Sequence, residues 1–175
     1  MKTLERKIKN LTEALQSATA HQNYYASLTM ALTLPDICSK LQYPEEKKTG
    51  TRYSKWFDEY MLSRYQKRVG YEKTLHTFLS GMDCYALRCS LLHQFETDIT
   101  QQGARKVLEN FTFVQPQVFG PIHMNQINNQ LQLQVDVFCL DILLSVEQWL
   151  GEYKEDEAIN ERAENLMEIQ SSFTF

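Results

Sequence analysis

Asp83-Cys84-Tyr85-Ala86-Leu87-Arg88-Cys89-Ser90-Leu91-Leu92-His93-Gln94-Phe95 sets an arginine and a histidine inside a stretch whose leucines recur at helical spacing. Leu87, Leu91 and Leu92 supply a core-facing side, which predicts a packed helix running to about Thr97. Arg88 keeps its charge at any physiological pH, whereas His93 exchanges a proton near neutrality. A fixed cation beside a proton carrier suits phosphodiester cleavage: one group holds developing negative charge and the other moves the proton. On an ideal helix the two residues stand roughly 140° and about 7.5 Å apart, a gap that a long arginine can narrow by folding back. Ser90 lies three positions before His93 and Glu96 three after it, the offsets that face one another on a helix. Glu96 is therefore the candidate to fix the imidazole tautomer, with Ser90 as a second support.

Outward from this helix the chain reads as mostly α-helical with one β interruption. Leu4, Ile8, Leu11, Leu15 and Ala18 recur at three- and four-residue steps, predicting a helix from about Leu4 to Leu32 that ends near Pro35. Asp36 then reads as the N-cap of a short helix over Ile37–Leu41, and Pro44–Gly50 as a charged surface loop. Trp56, Phe57, Tyr60 and Met61 predict a helix from Ser54 to about Tyr65, with Trp56, Tyr60 and Tyr65 in the core rather than in a base-stacking platform. A break at Gly70 precedes a predicted short helix over Glu72–Leu79. Phe111-Thr112-Phe113-Val114 alternates like a strand stopped by Pro116, and Leu131–Val137 alternates like a strand or a strand-to-helix junction. Together they predict a β-hairpin over about residues 109–137. Helical periodicity returns from Phe138 to Leu150, and an acidic amphipathic helix is expected within Glu152–Glu168. No repeat or linker divides the 175 residues, so one domain over 1–175 is expected.

Charge is uneven along the chain. The net charge of −4 conceals nine bases against five acids over residues 40–73, and five bases against fourteen acids from residue 74 onward. A chain this acidic does not coat itself on nucleic acid, so any such contact must be local. Lys47, Lys48, Arg52, Lys55, Arg64, Lys67 and Arg68 are the candidates, the first four foremost, with a solvated surface as the equal alternative. Cys38, Cys84, Cys89 and Cys139 show no paired spacing and read as reduced thiols of a cytoplasmic protein. His21, His76, His93 and His123 match no zinc pattern, so neither metal nor cofactor is expected; His76 and His123 have no partner in view. No run of about 18 apolar residues is present, which argues against a membrane span.

Arg88-Cys89-Ser90-Leu91-Leu92-His93 resembles the motif of the HEPN superfamily, an arginine followed after four to six residues by a histidine in a helical bundle. The preceding Gly81-Met82-Asp83-Cys84-Tyr85-Ala86-Leu87 is similar to uncharacterised bacterial proteins of that kind, which adds Asp83 and Tyr85 as supporting candidates. The resemblance implies a metal-independent endoribonuclease, toxin-like or active in phage defence. It also implies a homodimer in which both motifs line one cleft, and an antitoxin or other regulatory protein as a candidate partner. Two departures stand out. Cys89 occupies the place where many members carry a polar residue, often asparagine. Phe95 stands where members paired with a nucleotidyltransferase antitoxin carry tyrosine, so modification by that route is not expected. The β-hairpin elaborates the minimal bundle. The alternative is a catalytically silent helical interaction module, in which Arg88 and His93 merely bond to backbone or acidic groups.

Overall fold

The computed structural model describes residues 1–169. Among these residues, six helices and a three-stranded sheet share one apolar core, and a two-stranded hairpin stands outside it. Helix α1 (Thr3–Ala20) buries Leu4, Ile8 and Leu15, and α2 (Tyr24–Gln42) buries Leu28, Leu32, Leu34, Cys38 and Leu41. The single helix expected up to Leu32 is therefore two. Gln22 turns left-handed (φ 57°), and the Asn23 side chain accepts the Ala26 N–H at 3.4 Å to start α2. Asparagine at an N-cap satisfies an otherwise orphaned helical donor, a signal independent of glycine or proline.

Helix α2 then runs straight through Pro35, where the sequence predicts a break. Proline inside a helix forfeits a hydrogen bond and crowds the preceding turn, at a cost of about 3 kcal/mol. Four buried leucines lie on that helix, each worth roughly 1.5–3 kcal/mol of burial, and together they outweigh it. As a result Asp36 is not an N-cap. It sits in the interior of α2.

Helix α3 (Thr49–Tyr60) begins five residues before the expected start and continues into a 3-10 turn over Leu62–Tyr65. Its buried face carries Tyr53, Trp56, Phe57 and Tyr60, the aromatic core the spacing predicts. The helix expected over Glu72–Leu79 is instead the second half of an antiparallel hairpin, β1 (Gln66–Val69) and β2 (Thr74–Thr77). Gly70 (φ 72°) and Lys73 (φ 49°) make the left-handed turn that closes it, and nearly all of its side chains are exposed. With no buried face to impose a period, the segment offered little for pattern reading.

Helix α4 (Gly81–Gln94) carries the motif and packs mainly on α3. Ser80 caps it, accepting the Asp83 N–H at 3.2 Å, and the Gly81 N–H donates to the Asp58 carboxylate at 3.0 Å. A Cβ built on Gly81 would lie 2.6 Å from the Ser54 carbonyl oxygen and 2.7 Å from its Cα, so only glycine allows this approach of α4 to α3. At its other end α4 stops at Gln94, short of Thr97, because Phe95 turns left-handed (φ 60°).

The expected hairpin over 109–137 is a mixed three-stranded sheet. Strand β5 (Gln130–Gln134) lies in the middle, antiparallel to β4 (Asn125–Ile127) and parallel to β3 (Asn110–Val114). Asn128 (φ 54°) makes the tight turn between β4 and β5, and the intervening loop brings β3 round to the free edge of β5. Helix α5 (Val135–Tyr153) follows β5 directly, the strand-to-helix junction read from the sequence, and buries Phe138, Ile142, Val146 and Trp149. The C-terminal acidic helix is shorter than expected, α6 (Glu157–Ala163). Lys7, itself buried, donates to the carbonyls of Glu164 and Leu166 at 2.7 Å each and so fixes the chain beyond α6 against α1. Residues 170–175 of the expected single domain lie outside the described residues.

Candidate active site

Three helices converge on one carboxylate. Asp36 of α2 accepts from Arg88 Nη2 of α4 at 2.8 Å and from Arg52 Nη2 of α3 at 3.3 Å, one guanidinium on each oxygen. All three side chains are largely enclosed, at 15–19% exposure. Two guanidinium groups that never lose their charge share a single negative one, so the cluster keeps a surplus positive charge. The Nε atoms of Arg52 and Arg88 are buried without a partner among the described residues, so any donor offered to an anion comes from the terminal nitrogens. An anion reaching this cluster would meet hydrogen-bond donors fixed in place by a structural carboxylate.

His93 is exposed in the last turn of α4, and among the described residues no hydrogen bond or ion pair engages its ring. Its nitrogens are thus available for proton transfer. Tyr85, Cys89 and His93 follow at four-residue steps along α4, with Arg88 beside Cys89 on the same partly open side. Tyr85 packs on Tyr53 with ring centroids 5.5 Å apart and lies against Gly50 at the start of α3. Desolvation, with the Cys89 thiol one turn away as a lesser cause, raises its pKa, so Tyr85 acts here as a neutral wall.

The other expected supports are drawn elsewhere. Glu96 falls beyond the left-handed Phe95, so the offset that would face it to His93 is lost, and no bond between them forms among the described residues. Ser90 is fully buried and donates to the Asp98 carbonyl at 2.6 Å. Asp83 is 2% exposed; one oxygen accepts the backbone N–H groups of Lys106, Val107 and Leu108 at 2.7, 3.0 and 3.3 Å. Its other oxygen accepts the Ser80 hydroxyl at 2.7 Å. Both residues hold the loop between α4 and β3, and neither reaches the motif face.

Of the four foremost basic candidates only Arg52 enters the cluster. Lys47 lies with Arg52 on a cleft beside it. Lys48 is exposed at the N-cap of α3, and Lys55 is exposed with its ammonium 4.0 Å from the Tyr43 ring centre. Asp36 enters the site against the expectation of an N-cap, because burial along α2 overrides the helix boundary that Pro35 suggests. The signal for it was an acid set among the apolar positions of one continuous helix.

A second polar cluster also escaped the sequence. His123 Nε2 lies 3.8 Å from Asp141, which accepts the Tyr65 hydroxyl at 3.1 Å. Burial lowers the His123 pKa and raises those of Asp141 and Tyr65, so each group is pushed towards its neutral form. Tyr65 belongs to the core, and this cluster is an interior polar contact. Among the described residues no group of three or more His, Cys, Asp or Glu side chains is placed to hold a metal ion, and no helix is long and apolar enough to cross a membrane. Comparison with protein-family models, curated proteins and solved structures finds no match to this chain.

Proposed function

We propose that this chain is an endoribonuclease of the HEPN kind, cutting RNA without a metal ion at a site completed by a second copy of itself. One observation carries the reading: α4 holds, within two turns, an arginine of a cluster with surplus positive charge and an exposed histidine with no partner among the described residues. RNA supplies its own nucleophile. His93 of one copy takes the proton of the 2′-hydroxyl, and the 2′-oxygen attacks phosphorus. The bond to the 5′-oxygen then breaks, and that oxygen takes its proton from His93 of the other copy. The products are a 2′,3′-cyclic phosphate and a free 5′-hydroxyl. Arg88 offers N–H donors to the phosphate oxygens as their charge grows. One histidine is poorly suited to be base and acid in the same step, which is the chemical reason for a twofold dimer. A toxin or phage-defence role, with an antitoxin as regulator, belongs to the same proposal.

Purified protein should cut RNA in EDTA and leave cyclic phosphate ends, and Arg88→Ala and His93→Ala should each remove cleavage from a folded chain. Mixing inactive Arg88→Ala chains with wild type should suppress cleavage beyond simple dilution. Full activity in either variant would sink the assignment. No cleavage of any RNA by wild type would favour the interaction-module reading. That reading draws on Leu140 and Leu144, exposed at 53% and 39% one turn apart on α5.

A further inference from the structure

Arg52 faces two ways. Its Nη2 shares Asp36 with Arg88, and the same residue lines a cleft of 370 Å³ formed by the end of α2, the loop after it, α3 and α6. Three more cations line that cleft: Lys40, Lys47 and Arg162. The one acid among the lining residues, Glu46, already gives an oxygen to the Lys48 backbone N–H at 2.7 Å. Arg162, which lines the cleft, is held in place by its Nε, which donates to the Leu41 carbonyl at 2.8 Å, and no bond engages its terminal nitrogens among the described residues. Four like charges gathered from four segments repel one another, and the adjoining carboxylate, Asp36, is already divided between two arginines. An anion relieves that repulsion.

We infer that this cleft is a nucleotide phosphate subsite contiguous with the motif, an inference that rests on the ribonuclease reading above. It binds a phosphate next to the one cleaved, with Arg52 as the residue common to both places. Backbone phosphate is the part of RNA that a cluster of lysines and arginines reads, without regard to base. The binding surface is therefore Lys40, Lys47, Arg52 and Arg162, and Lys48 and Lys55 take no part in it. Two sources of the same chemistry are open to test: the RNA strand that continues into the motif, or a free mononucleotide that occupies the cleft by itself.

Binding can be read apart from cleavage. The His93→Ala chain is titrated against 5′-labelled single-stranded RNA by fluorescence anisotropy over a salt series, with and without Lys40→Gln and Lys47→Gln together. Both lysines are exposed, so the fold should be untouched. Loss of two phosphate contacts should weaken binding about ten-fold and flatten the slope of log K against log salt by about 1.4. Unchanged affinity and slope would overturn the subsite. Competition by AMP that disappears in the double variant would assign the cleft to a free nucleotide; lysine-dependent RNA binding that AMP leaves alone would assign it to the strand. If the lysines govern RNA binding while wild type never cuts, the cleft stands as a phosphate site and the ribonuclease reading falls, with the cleft's place beside a cleaved phosphate. If wild type cuts while the double variant binds normally, only the subsite falls.

Discussion

On the inward side of α4, Asp83 spends one oxygen on three backbone N–H groups and the other on Ser80, while Ser90 gives its proton to the Asp98 carbonyl. On the outward side Arg88 has only a share in Asp36, and His93 has no partner among the described residues. All four residues lie within eleven positions of one helix. What separates them is the face they project from. Polar groups turned inward are consumed in holding the α4–β3 loop, since a buried donor or acceptor left unpaired costs more than the bond returns. Polar groups turned outward keep hydrogen-bonding capacity that the fold does not use. Unused capacity, more than residue type, marks where chemistry is available.

The contrast is most exposed to test at Asp83. Asp83→Ala leaves three backbone donors without their acceptor, one of them buried, and removes a charge-assisted acceptor, so unfolding in denaturant should show a loss of about 3 kcal/mol or more. A loss under about 1 kcal/mol would mean the loop finds other acceptors and the inward face is not structural. Ser90→Ala gives up a single buried hydrogen bond and should cost about 1 kcal/mol in the same measurement. If it abolished RNA cleavage without that cost, Ser90 would move to the functional side. The smallest stability effect is expected at His93, where His93→Ala should stay within about 0.5 kcal/mol of wild type while cleavage disappears. A destabilised but active His93→Ala chain would reverse the division between the two faces.

Much of the fold was readable because burial imposes a period. The leucines of α1 and α4, the aromatic face of α3 and the Leu131–Val137 junction each declare themselves through it. Where burial is absent or competes, the pattern misleads. β1 and β2 are solvated on both faces and leave no alternation to follow, and Pro35 is overruled by leucines around it. The site divides in the same way. Arg88 and His93 were legible as a pair on a helix, but their surroundings were not. Asp36 and Arg52 are 52 and 36 positions from Arg88 in the sequence, and only the packing of α2, α3 and α4 brings them to it. Arg162 reaches the neighbouring cleft from 110 residues beyond Arg52. Contacts of that range carry no local signature.

Gly81 gives the separation of α3 and α4 an unusual control. Backbone, not a yielding side chain, stands where its Cβ would go. Gly50 differs: its virtual Cβ meets the Tyr85 ring, which can turn aside. A single methyl at Gly81 would act as a shim under one end of α4, levering the helix away from α3. Arg88 rides on that lever seven residues on, roughly 10 Å along the axis. The two arginines that divide Asp36 would then be moved out of step by a change that touches neither. The calibration of the cationic cluster is thus kept by a hydrogen atom at the far end of the helix.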